Sequence, residues 1–227
     1  MNFIIIGLGN FGASLAKKLT ALGHDVIGVD KDITKVDFFK DTVKNTISMD
    51  ITDIHALKTL PIKDADMIIV CIADDFGASV MTSALLKKLG AENIYGREKS
   101  LVHKTVLNSI GVVNTINPEY ETASVFAEKL IMTGVWSIYN ISDEIKIAEV
   151  SIPEEYIGKT VNDINFREFH NIKLLALKQL DRKLTTPSLE KWNAIEMKNL
   201  EATVVLEKDM RFIIKGRKKD IMQFIRL

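Results

Sequence analysis

A chain of 227 residues is long enough for one large domain or two small ones, with ample apolar material for a core. Its 30 basic and 30 acidic residues cancel, so charge alone gives no footprint for nucleic acid. The contents of 47% hydrophobic and 26% charged residues are ordinary for a globular protein. The single cysteine, Cys71, excludes a disulfide framework within the chain, and its apolar run 67–72 makes it a small buried hydrophobe. The opening apolar run is about five residues long, against the roughly 20 that a spanning helix needs. With no signal-peptide pattern, the expectation is a cytoplasmic chain that meets a membrane only through a partner protein.

Asn2–Ile6 reads as a buried strand, followed by Gly7-Leu8-Gly9-Asn10-Phe11-Gly12 and an amphipathic stretch running to residue 22. Strand, glycine turn and helix are the context in which G-x-G-x-x-G carries meaning. Gly7 allows the tight turn, Gly9 lets backbone approach a phosphate, and Gly12 lets helix pack on strand. The unpaired N–H groups of the first helical turn then face the phosphates. Asp25–Asp30 is a second strand, ending in a carboxylate about 20 residues past the glycines. Asp30 is placed to accept hydrogen bonds from both hydroxyls of an adenosine ribose and to repel a 2′-phosphate. The alternative role is a helix N-cap, for which Asp32 competes.

A short helix is predicted over 34–40, a strand over 43–49, and a helix over 53–58 with Thr52 or Asp53 as its cap. Residues 66–72 are continuously apolar, as a strand covered on both faces requires. Helix 76–89, strand 93–96, helix 99–110 and strand 112–116 complete the series. Alternating strands and helices predict a parallel, Rossmann-type doubly wound sheet. A further helix over 121–132 carries an apolar stripe of Ala123, Phe126, Ala127, Leu130 and Ile131, which packs either on its own domain or on a partner.

Beyond residue 135 the texture changes. Strands are predicted over 145–152, 173–180, 200–206 and 211–215, with short helices near 161–168 and 218–225. The organisation is a Rossmann domain (1–118), a crossover helix and linker (119–140) and a small α+β domain (141–227). The four histidines, His24, His55, His103 and His170, show no ligand spacing, so surface or capping roles are their default.

Three stretches in this order carry a family resemblance: the glycine motif; Gly23-His24-Asp25-Val26-Ile27-Gly28-Val29-Asp30; and Gly111 through Asn117-Pro118-Glu119. In the second module, Gly158-Lys159-Thr160-Val161-Asn162-Asp163-Ile164-Asn165-Phe166-Arg167 and Leu174-Leu175-Ala176-Leu177-Lys178 add to it. The chain resembles the cytosolic regulatory subunits of Ktr/Trk-type potassium uptake systems, the RCK (regulator of potassium conductance) family, over nearly its whole length. The resemblance implies an N-terminal domain that binds ATP, ADP or NAD/NADH. It also implies homodimers assembled into an octameric ring at the cytoplasmic face of a membrane potassium channel or transporter subunit, with no nucleic-acid partner and no catalysis.

For individual residues the resemblance implies that Gly7, Gly9, Asn10, Phe11, Gly12, Asp30 and Lys31 hold phosphates, ribose and the adenine edge. Asp50 and Ile51 follow the third strand, Ala73 and Asp74 the fourth, and Arg97 the fifth, all in the same cleft. Asp50, and Asp74 with Asp75, serve equally as helix caps on their residue types alone. Arg97 either reaches phosphate oxygens or is a solvated surface charge. Glu119 either holds a cation at the dimer crossover or is a first-turn acid favoured by the helix dipole. Many ATP-responsive relatives carry arginine where this chain has Asn10, which implies a weakened preference for a triphosphate. In the last module Val161, Asn162, Asn165, Phe166 and Arg167 fall where some relatives bind cyclic di-AMP, though core packing is the favoured role for Phe166. The competing function is a nicotinamide-dependent dehydrogenase, which the glycine motif and Asp30 fit equally well. The last module offers no evident Lys/His/Asp or Tyr/Lys grouping for its acid–base step.

Overall fold

The computed structural model describes residues 1–164, 166, 171–180, 192–196 and 204–226. These divide into two compact units, Met1–Glu121 and Thr122–Leu227.

The first unit runs β1 (Asn2–Ile6), α1 (Asn10–Ala21), β2 (Asp25–Asp30), α2 (Ile33–Phe39), β3 (Asn45–Ser48), α3 (Ile54–Leu57), β4 (Met67–Val70), α4 (Phe76–Lys88), β5 (Ile94–Arg97), α5 (Leu101–Ser109) and β6 (Asn114–Ile116). The strands form a parallel sheet in the order β3-β2-β1-β4-β5-β6. This is the Rossmann order, with the topological switch between β1 and β4. Successive side chains of β1 go to opposite faces. Ile4 and Ile6 join a cluster with Leu57, Leu86 and Leu107, while Phe3 and Ile5 join Ala16, Val26 and Cys71. Both faces are covered, which is why these strands read as apolar runs rather than alternations. Burial pushes the Cys71 thiol up to about 12, so it remains a protonated apolar filler at neutral pH.

Helix starts follow local capping chemistry. Asp32 accepts from the Thr34 N–H, Asp53 from His55, Asp75 from Ala78 and Ser100 from His103. Asp53 therefore caps α3, and Asp75, not Asp74, caps α4. His103 departs from its surface default. It is 1% exposed and its ring lies 4.9 Å from that of Phe76. Its neighbours Leu101 and Val102 are exposed while Leu107 is buried, so the α5 face bearing His103 is the inner one.

The helix α6 (Pro118–Ile131) begins in the first unit and continues into the second. None of its residues is buried, and Phe126, Leu130 and Ile131 stand exposed on the single chain. The second unit adds β7 (Val135–Asn140), β8 (Ile145–Ser151), β9 (Lys173–Leu180), β10 (Trp192–Glu196), β11 (Met210–Arg217) and α7 (Lys218–Phe224). They build an antiparallel sheet ordered β10-β9-β11-β8-β7. Ala148, Val150, Leu177, Phe212 and Ile214 pack with Ile221 and Phe224 of α7 in its core.

Two sequence readings of this unit change, and one strand is added. Residues 135–140, expected as linker, form the edge strand β7, which buries only Ile138 and so shows no clean alternation. The helix expected over 161–168 is a 3₁₀ turn at Val161–Asp163, closed by reciprocal bonds between Thr160 and Asp163. The strand expected over 200–206 falls largely outside the described residues, and Val205 makes a bridge to Thr160. β10 was not anticipated, because a five-residue edge strand carries little periodic signal.

On the sheet face away from the core, Glu149 accepts from Arg211 at 2.7 Å and from Lys178 at 2.9 Å. The Arg211 guanidinium lies 3.6 Å from the ring centroids of both Trp136 and Trp192. Burial pushes the Glu149 pKa up, but the hydrogen bonds from Arg211 and Lys178 outweigh it and hold the carboxyl below its ordinary value. A depressed folded pKa means that the unfolded chain takes up the proton first as pH falls. The stabilisation is therefore complete above the ordinary value and lost on acidification through the folded one. The melting temperature is expected to fall between about pH 5 and pH 3, and more shallowly in Glu149→Gln than in wild type. Parallel slopes in calorimetric scans of the two proteins would show that the pair contributes nothing.

Candidate functional site

The carboxyl ends of β1 to β5 converge on a cavity of about 580 Å³. β1 ends at Ile6, and Gly7 turns the chain with φ +97°, a left-handed conformation that a side chain resists. Its N–H donates to the Val29 carbonyl at 2.7 Å. Gly9 caps α1 without a side chain, and no acid stands in the first turn. The leading N–H groups of α1 are therefore open to an anion. An added Cβ at Gly9 would meet nothing within 4 Å, whereas one at Gly12 would lie 1.9 Å from the Gly7 carbonyl oxygen. Gly12 lies outside the cavity lining and serves the packing of α1 on the turn.

Asp30, at the end of β2, is 7% exposed. Its Oδ2 accepts from the Leu8 N–H at 2.7 Å and its Oδ1 from the Asp32 N–H at 2.9 Å. Asp30 is thus no helix cap. It pins the glycine turn to β2, and a carboxylate with about four acceptor positions still has some to offer. Lys35, from the first turn of α2, reaches to 3.7 Å from the same carboxylate and lines the cavity. Sequence reasoning passed over Lys35. Its place three residues after the Asp32 cap was the available signal.

Across the cavity, Asp50 accepts from the hydroxyl and the N–H of Thr52 at 2.7 and 2.9 Å, which holds its carboxyl below the ordinary range. Ile51, Thr52, Ala73, Asp74, Asp75 and Ala78 continue the wall. Asp74 is solvent-exposed and pairs with Lys99 at 3.3 Å. Arg97 is not a solvated surface charge. Its side chain is 14% exposed, its guanidinium lies 5.6 Å from the Phe11 ring centroid, and it pairs with Glu119. Gly7, Gly9, Asn10, Phe11, Asp30, Lys31, Asp50, Ile51, Ala73, Asp74, Arg97 and Glu119 all line this one cavity.

Its charge is divided in kind. Asp30, Asp50, Asp74, Asp75 and Glu119 supply five carboxylates, against three cations from Lys31, Lys35 and Arg97. Net field therefore does not draw a polyphosphate in. The uncharged N–H groups of the glycine turn and the Arg97 guanidinium suit phosphate oxygens, and the carboxylates suit hydroxyl donors. A molecule with phosphates at one end and sugar hydroxyls at the other matches both halves. The Glu119 carboxylate has the Arg97 guanidinium as its partner, and among the described residues of one chain no three His, Cys, Asp or Glu side chains gather to hold an ion.

The cyclic-dinucleotide candidates are divided. Val161 and Phe166 are core residues, the latter edge-on to Phe212 at 5.1 Å, and Asn162 is exposed. Asn165 and Arg167 lie outside the described residues, as does His170.

Sheet order, glycine turn and the acid at the end of β2 define the first unit as a nucleotide-binding domain of the Rossmann class. Residues 3–118 match the TrkA-N domain family. The chain is 30% identical over 222 residues to Ktr system potassium uptake protein A of Bacillus subtilis (strain 168), covering 98% of this chain and 94% of that protein. Its fold is similar to the crystal structure of the GsuK RCK domain (TM-score 0.63, 16% identity), which aligns over 100% of this chain and 47% of that one. It is also similar to the GsuK channel bound to NAD (TM-score 0.62, 16% identity), over 99% of this chain and 39% of that one. The chain belongs to the TrkA-N family, that of the Ktr/Trk-type potassium uptake proteins, as its sequence motifs suggested.

Proposed function

We propose that the chain is a nucleotide-sensing gating subunit of a potassium uptake system, working at the cytoplasmic side of a membrane channel or transporter subunit. The observation that carries this reading is the cavity at the switch point, with a phosphate-receptive glycine turn facing a buried acid. Similarity to a potassium uptake protein over 98% of the chain supports it. Among the described residues, no helix is long and apolar enough to cross a membrane. In this reading the turn and Arg97 hold phosphates of ATP, ADP or NAD, and Asp30 holds the ribose. Nucleotides that make different contacts in two dimer geometries shift the population between them, and a ring of dimers passes the difference to the membrane subunit. The exposed apolar stripe of α6 supports the dimer. For the second unit no ligand is assigned, since Val161 and Phe166 are spent on its core.

The test is the solution mass of the purified full-length protein, with its nucleotide released and identified. A ring of about eight chains carrying ATP, ADP or NAD is the expected result. A small dimer that turns over NADH with a substrate would favour the dehydrogenase instead. Asn10→Arg is expected to raise the ATP-to-ADP affinity ratio by about tenfold, the effect of one added charge-assisted bond to a terminal phosphate. An unchanged ratio would remove Asn10 from nucleotide discrimination.

A further inference from the structure

Arg97 and Glu119 meet at the cavity wall from two different elements, the end of β5 and the first turn of α6. The Arg97 side chain is 14% exposed and covered by Phe11, while Glu119 is 66% exposed. One Nη of the guanidinium donates to Glu119 Oε1, whereas the buried Nε has no partner. The Glu119 backbone N–H and the Arg97 guanidinium together hold the Glu119 carboxyl below its ordinary range. A guanidinium stays charged under all ordinary conditions and carries five N–H donors in one plane. The cavity wall therefore holds a permanent cation with unused donors, whose present acid partner is more weakly tied down than the cation itself.

We propose that Arg97 is a shared cation, and that Glu119 and the ligand's phosphate oxygens compete for it. This rests on the nucleotide reading above. In the free protein, Arg97 supplies the positive charge at Glu119 that a bound metal ion would otherwise provide. Arrival of phosphate turns the guanidinium toward the ligand and leaves Glu119 without its counter-charge at the first turn of α6. The ligand's phosphates are thereby converted into a change of charge at the start of the helix that leaves the sheet.

The sign of one measurement separates this from a metal site. Full-length wild type, Glu119→Gln and Arg97→Gln are titrated with ADP by calorimetry, in EDTA and in magnesium. Removing the competitor is expected to tighten ADP binding in Glu119→Gln by roughly two- to fivefold, equally in both buffers, as suits an exposed ion pair. Arg97→Gln is expected to weaken binding about tenfold, and to make the Glu119 substitution silent in the double variant. Weaker binding in Glu119→Gln, an unchanged affinity, or a tightening that persists without Arg97 would overturn the proposal. Glu119 is exposed, so its variant should fold. Arg97→Lys, which keeps the charge and loses the fork, stands in if Arg97→Gln does not, and is expected to weaken binding as well. Failure of wild type to bind any nucleotide would instead sink the gating-subunit reading itself.

Discussion

Gly12→Ala is expected to lower the melting temperature by roughly 6–12 °C, equivalent to about 3 kcal/mol in a protein of this length. The new methyl would sit 1.9 Å from the Gly7 carbonyl oxygen, 3.2 Å from the Gly7 carbonyl carbon and 3.0 Å from the Cys71 side chain. Two of these contacts are backbone, so no rotamer change relieves them. α1 must lift off the glycine turn, and the cavity loses its phosphate end with it. Gly9→Ala is the control. Its Cβ meets nothing within 4 Å and its φ is −72°, so the fold is expected to survive unchanged. The methyl then stands where a phosphate would approach, and nucleotide affinity alone is lost. Circular dichroism melts read the first effect and calorimetric titration the second. A shift under about 2 °C for Gly12→Ala would mean that the turn yields more easily than close packing permits.

Asp30→Ala is expected to cost both stability and binding. It removes the acceptor of the Leu8 and Asp32 N–H groups at a site 7% exposed. A buried donor left unsatisfied costs about 1–3 kcal/mol. Lys35 also loses the carboxylate at 3.7 Å. The ribose loses its acceptor, so nucleotide affinity is expected to fall about tenfold or more. Asp30→Asn keeps one acceptor oxygen and should fall between alanine and wild type in both measurements. If the alanine variant melts with wild type and still binds, then Asp30 neither pins the turn nor meets the ligand.

Much of the first unit was readable because its determinants are local. The apolar runs of β1, β2 and β4 mark a sheet covered on both faces, and Asp32, Asp53, Asp75 and Ser100 each cap a helix within three residues of themselves. The second unit was less readable for the same reason. β7 and β10 are edge strands whose residues need satisfy only one neighbour, so their alternation is weak. Nothing near Trp136 in the chain announces that it will close on Arg211 together with Trp192.

Sequence by itself determined where the strands and helices of the first unit fall, the requirement for glycine at position 12, and the family to which the chain belongs. These depend on backbone sterics and side-chain spacing over a few residues, which the order of residues states directly. Tertiary structure decided which side chains share a site. The parallel crossovers bring the ends of β1 through β5 to one edge, and only there does Lys35 meet Asp30, Phe11 cover Arg97, and Arg97 find Glu119 22 residues away. Long-range partners of this kind are set by how the loops converge after folding, so no local pattern in the sequence encodes them.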